Sequence, residues 1–323
     1  MSTVRESRTR GAAAGHTGAA AGRPGRPSGS RTTAPYRRRR RWLGLVYLSP
    51  ALLIYAFVVL LPAGQGVRLS FVHWDGVTAA TNAGFSNYTG FLHDPTLRRA
   101  VAHTLFFIAF FSLLPILLGM ASAALTARKE VRGAAVYRWV LFLPQVLTPA
   151  VAAVVWKRIY APDGPIDSVL RAVGLGSLAR GWLGDYTWAL PALGLAGTWA
   201  AYGLCMVLFA AGIQNIPSEL YDAARMDGAG ALREFFTVTL PGLRGQLAVV
   251  LTLTMLGAIR VFDIVWLTTK GGPGTSTITP TVVLYQRAFA NPDVGAACAI
   301  GVVLAVVSLV VSLVVVKISE GDD

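Results

Sequence analysis

The chain has 323 residues, of which 54% are hydrophobic and only 14% charged, and its formal net charge is +13. A soluble domain carries roughly a quarter charged residues, so the composition excludes an ordinary aqueous enzyme or binding module and makes lipid the main solvent. Eleven of the 29 lysines and arginines precede Trp42, so the positive charge describes a tail and not a nucleic-acid-binding face.

Residues 1–41, rich in Gly, Ala, Ser, Thr and Arg, cannot bury enough apolar surface to fold and are expected to form a disordered basic tail. The run Arg37–Arg41 before Trp42 also fits a twin-arginine export signal. Five further apolar segments downstream favour a positive-inside membrane anchor instead. Anionic lipid is then a secondary contact for these arginines.

The predicted fold class is all-α, a polytopic membrane protein with six transmembrane helices near 42–62, 100–125, 134–156, 189–211, 246–268 and 296–316. About 20 residues rising 1.5 Å each cover a hydrocarbon core about 30 Å thick, and backbone groups in lipid must bond within the segment. Pro115, Gly119, Pro144, Gly194 and Gly197 predict kinks and close helix contacts. With a cytoplasmic N-terminus, 19 of the 29 basic residues fall on the inner side and nine on the outer, with Arg260 inside a span. Both termini, including the short tail 319–323, are therefore expected to be cytoplasmic.

Cys205 and Cys298 lie inside apolar runs, and the four histidines (His16, His73, His93, His103) have no metal-ligand spacing. Neither a disulfide framework nor a metal site is expected. The stretch Gly271–Thr277, "GGPGTST", lacks the Lys-Ser/Thr ending of a phosphate-cradling loop. This chain is therefore not expected to cradle nucleotide phosphates itself.

On this topology Gly212–Gly245 is a cytoplasmic loop of 34 residues, the longest inner connection. Pro217 suits a first helical position, and Glu219 and Asp222 complement the helix dipole. Gly228 and Gly230 break that helix. Leu232, Phe235, Phe236 and Thr239 then recur at helical spacing in a second short helix that Pro241 is expected to end, with the two aromatic residues at its root. A helix, a glycine turn and a helix make a compact knob for a partner's cleft.

Within this knob, "DAARMDG", nine residues and "VTLP" resemble the coupling-loop signature of ABC importer permeases, E-A-A, three residues, G, nine residues, I-x-L-P. Asp222, Ala223, Ala224, Gly228, Val238, Leu240 and Pro241 occupy its positions, with Asp227 in the same stretch, and Asp222 and Val238 replace Glu and Ile. "WKRIYAPDGPIDSVLRAVGL" (156–175), "FDIVWLTTKGGPGTST" (262–277), "SFVHWDG" and "FSNYTGFLHDP" are similar to segments of carbohydrate-uptake permeases of the maltose or glycerol-3-phosphate type. The resemblance covers about 42–318. It implies a type-1 transmembrane domain that moves a sugar or related polar solute by alternating access. The implied partners are a second homologous permease, two ATPase subunits that bind ATP and Mg, and an extracytoplasmic solute-binding protein. The knob would enter a groove on an ATPase, with Asp222 facing a basic group there.

Arg260 and Asp263, three apart in the fifth span, would share one helix face in its outer third, about 22 and 27 Å from Gly245. Intramembrane charges mark pathways or structural pairs, and both readings stay open. Tyr285 and Gln286, with Phe289, mix hydrogen-bonding and flat apolar surfaces as sugar sites do. Gly271, Gly272 and Pro273 form an external turn that could touch the binding protein. A membrane-embedded enzyme would need convergent polar groups within the spans, and a secondary transporter would need charge relays or internal repeats. The sequence has neither.

Overall fold

The computed structural model describes residues 47–127 and 134–320. The basic tail 1–41, the start of the first predicted span and residues 321–323 lie outside the described residues. Contacts divide the chain into a unit ending at Tyr55 and a unit beginning at Ala56. Described residues of the first, 47–55, are helical; everything that follows belongs to the second unless stated.

Among the described residues, five helices are long and apolar enough to cross a membrane, and six when one bent pair counts as a span. The first is α1 (Tyr47–Leu69), of which the residues from Ala56 on belong to the second unit. A two-residue antiparallel hairpin, β1 (Val72–His73) with β2 (Thr81–Asn82), adds a little sheet to an otherwise helical fold. Helix α2 (Ser86–His93) leads into α3 (Pro95–Thr126). Asp94 caps α3, its Oδ1 accepting from the Thr96 N–H at 2.7 Å, and Pro95 takes the first position, where no N–H is needed.

The third span is broken. Helix α4 (Ala134–Val146) and helix α5 (Pro149–Ile159) meet at 108°. Pro149 removes a donor and pushes Thr148 into extended geometry (ψ 149°), which stops α4, while the Thr148 hydroxyl caps α5 through the Val151 N–H at 3.4 Å. After α5 come a short helix, α6 (Pro165–Ala172), and then α7 (Ala189–Gln214), the fourth span. Asp185 precedes α7; N–H groups of Thr187 and Trp188 bond its carboxylate and hold its pKa below the usual range.

Next come α8 (Ser218–Met226) and α9 (Ala231–Glu234). The fifth span runs over Arg244–Thr268 as α10 (Arg244–Ile259) and α11 (Asp263–Thr268). Its continuity, expected through 246–268, fails at residues 260–262: Phe262 adopts φ −133°, ψ −61°, and the freed Val261 carbonyl accepts from the hydroxyls of Thr279 (3.2 Å) and Thr281 (2.5 Å). Helix α12 (Pro280–Tyr285) and the last span, α13 (Val294–Glu320), complete the chain.

Small residues let the spans approach. In α3 a π-helical turn, Ala109–Leu113, lies against α7; a Cβ on Gly197 of α7 would meet the Phe111 ring at 1.9 Å, and Thr198 Oγ1 donates to the Phe110 carbonyl at 2.6 Å. Lipid tails give helix association little hydrophobic drive, so such close packing and interhelical hydrogen bonds carry it. Ser112 and Thr254 share a 2.7 Å hydroxyl contact between α3 and α10. Two apolar clusters result. One joins Phe107, Leu193, Val265, Val282 and Ile300, and the other joins Met120, Cys205, Phe209, Ile213, Leu243 and Val250. Outward faces carry exposed Leu117, Val154, Leu253, Val306 and Leu309, natural for helices solvated by lipid.

Candidate functional site

Two regions contain most of the residues singled out in the sequence. In the first, α8 begins at Ser218 with Pro217 as its cap, so Pro217 stands one position earlier than expected. It ends in a Schellman motif: the Ala229 N–H donates to the Ala224 carbonyl (2.9 Å) and the Gly228 N–H to that of Arg225 (3.0 Å). That motif demands a left-handed residue, and Gly228 supplies φ +74°. Asp227 is the C-cap, Ala223 is exposed and Ala224 half-buried.

Asp222 is exposed and pairs with Arg225 at 3.2 Å. Arg225 also reaches buried Glu234 of α9 at 3.5 Å, and Tyr221 OH meets Thr239 Oγ1 at 3.2 Å. These cross-links tie the two halves of the knob together. After α9 the chain passes through a π-helical turn, Phe235–Thr239, which holds Val238, into Leu240–Gly242. Pro241 therefore does not end the second helix: the helical path runs on through it to Gly242. Phe235, Leu240 and Leu243 root the knob in the cluster shared by α3, α7 and α10. Phe236 does not; it is 60% exposed, and Leu220, Met226 and Leu232 also leave apolar surface uncovered.

The second region is a cavity of about 330 Å³ where the breaks of the third and fifth spans face each other across α7. Arg260, Phe262 and Asp263 line it from one side, Gln145 and Pro149 from the other, and Ala201 from α7. Arg260 caps the end of α10 and Asp263 opens α11, so they do not share a continuous helix face, and among the described residues no ion pair joins them. Both are exposed. Gln145 was missed from sequence; the Pro144 to Pro149 spacing was the signal that polar backbone and side chain would be opened to a cavity there.

Tyr285 and Gln286 are not on that lining. Tyr285 packs among Phe262, Trp266 and Phe289 with ring centroids 5.3, 4.5 and 5.0 Å away, and the Gln286 carbonyl accepts from the Asn291 N–H. The turn after α11 is internally braced. Gly271 is buried at φ +93°, Thr277 Oγ1 donates to the Gly272 carbonyl at 2.8 Å, and Arg99 reaches Thr275 at 3.0 Å. Gly272 and Pro273 are half-buried, leaving Lys270 and Gly274 as the exposed positions. His103 is bonded to the Ile278 carbonyl at 2.9 Å.

A bundle of broken membrane spans with a braced helical knob rooted in its core defines a membrane-embedded transport subunit. Residues 76–320 match the model of the binding-protein-dependent transport system inner membrane component family, and the chain belongs to that family. It is the permease subunit of an ABC importer, not its ATPase. Similar curated proteins include the probable ABC transporter permease protein YurN of Bacillus subtilis, 34% identical over 84% of this chain and 94% of that one. The diacetylchitobiose uptake system permease protein NgcF of Streptomyces coelicolor is 33% identical over 85% of this chain and 82% of its own. A chain from the crystal structure of a bacterial ABC transporter involved in import of the acidic polysaccharide alginate shares the fold with a TM-score of 0.74, at 22% identity over 88% of this chain and 97% of that chain.

Proposed function

We propose that this permease carries a hydroxyl-rich solute of the sugar class through the cavity at the two helix breaks. Its lining sets one guanidinium, one carboxylate and one carboxamide among apolar faces. Such a set satisfies hydroxyl groups and packs flat ring surfaces without demanding net solute charge. Relatives named for diacetylchitobiose and sulfoquinovosyl glycerol uptake support the same class.

The solute arrives from an extracytoplasmic binding protein, a second homologous permease completes the pathway, and two ATPase subunits hold ATP and Mg. The termini and residues 212–245 face the cytoplasm, where Asp222 and the exposed apolar residues of the knob enter the ATPase groove. The observation that carries this reading is the root of the knob. Leu240 and Leu243 pack in the same cluster as α3, α7 and α10, so a push on the knob moves the helices that wall the cavity as a body.

The test is co-purification of the assembled importer. Asp222→Arg should leave the subunit in the membrane at the wild-type level, strip the ATPase from it and abolish uptake. Retention of both at wild-type levels would overturn the assignment.

A further inference from the structure

Helix α6 leaves half of its apolar face uncovered. Successive residues advance 100° on the helix, so Ile166, Val169, Leu170 and Val173 gather on one face and Asp167 and Arg171 on the other. An amphipathic helix solvated by water buries the first face. Here Asp167 is buried, 2% exposed, with the Trp182 indole N–H donating to its Oδ1 at 2.9 Å, and Ile166 and Leu170 are half-buried, while Val169 and Val173 are each 62% exposed and Arg171 is exposed too. Leu175 and Leu178, just beyond the helix, are exposed as well.

The surroundings of this face are those of a membrane boundary. Helix α6 follows the end of the third span by five residues, and Lys157 and Arg158 are exposed at that end. Arg180 lies over Trp182 at 5.6 Å and Trp188 at 5.0 Å, an aromatic and cationic pairing suited to the headgroup layer. Ile166 of the same face also lines a groove of about 480 Å³ that runs past Trp156, Tyr160 and Trp199 to Leu118 on α3. Half-buried Ile166 thus joins α6 to a groove that includes the exposed span residues Leu118 and Leu195.

We infer that α6 is an interfacial helix, lying on the membrane surface with Val169 and Val173 in the acyl boundary and its occupant the bilayer lipid itself. This rests on the reading of the chain as membrane-spanning.

The test uses nitroxides placed one at a time at Val169→Cys, Val173→Cys, Ser168→Cys and Val154→Cys in a Cys205→Ala, Cys298→Ala background, in the assembled importer reconstituted in phospholipid vesicles without binding protein. All four positions are exposed, so the labels meet no packed neighbour. Collision rates with oxygen and with a water-soluble nickel complex are compared. The expected result is several-fold preference for oxygen at 169 and 173, and for nickel at 168. Nickel access at 169 and 173 equal to that at 168 places the face in water and overturns the inference. Low access to both reagents places it under a protein partner and overturns it equally. The Val154 label, within the third span, separates these outcomes from failure of the membrane-spanning reading, which nickel access there would expose.

Discussion

Replacing Gly228 by alanine probes the knob through conformation alone. No atom lies within 4 Å of a Cβ built at Gly228, so the cost is the left-handed φ of +74° and not a clash. Left-handed geometry costs an L-residue about 1–2 kcal/mol, which is a factor of about 5–30 in the population of the Schellman turn. A penalty of that size does not unfold the subunit, but it depletes the turn geometry that sets α8 against α9, the knob proposed to meet the ATPase. Gly228→Ala should therefore lower coupled uptake several-fold at unchanged membrane level. Gly228→Asn should keep most activity because asparagine tolerates this conformation, whereas Gly228→Pro should abolish it by also deleting the N–H bonded to Arg225. The assay is solute uptake with ATP hydrolysis in proteoliposomes of the assembled importer. Equal activity of the alanine and glycine forms, or an asparagine form worse than alanine, would refute the reasoning.

Arg260→Ala or Asp263→Asn should weaken solute transport by about 10- to 100-fold, the equivalent of about 1.5–3 kcal/mol for a hydrogen bond to a charged group, with ATPase binding intact in pull-downs. Gly203→Ala places a Cβ 2.1 Å from the Leu141 carbonyl oxygen of α4. The helices must separate at a cost of about 1–3 kcal/mol, seen as a lower unfolding temperature in detergent, and an unchanged temperature would contradict that contact. Asp185, depressed by its bonds to Thr187 and Trp188, binds its proton less readily folded than unfolded. Its contribution is present above the ordinary carboxylate range and is lost as pH falls through its lowered pKa; Asp185→Asn should flatten that acid limb in unfolding scans.

Much of this organisation is legible in the sequence because lipid imposes a simple length rule. The fourth span, expected at 189–211, is the helix Ala189–Gln214. The spacing of "DAARMDG" and Gly228 foretells the end of α8, since a left-handed turn selects glycine. The break at 260–262 is not legible, because Val261 and Phe262 continue the apolar run and the carbonyl they free is answered by threonines 18 and 20 residues away. The grouping of Tyr285 with Trp266, away from the cavity, is likewise tertiary. In α6 the periodicity identifies two faces, but only the fold shows that Asp167 is buried while Val169 and Val173 stay exposed.

The claim that ATPase motion enters through the knob is tested most directly by a photo-crosslinker at Asp222 in the assembled importer, with and without nucleotide. Crosslinks to the ATPase subunit whose yield changes when nucleotide closes it are the predicted result. A label at Asp222 reached only by reagents confined to the cell exterior, with no crosslink to the ATPase, would contradict the account.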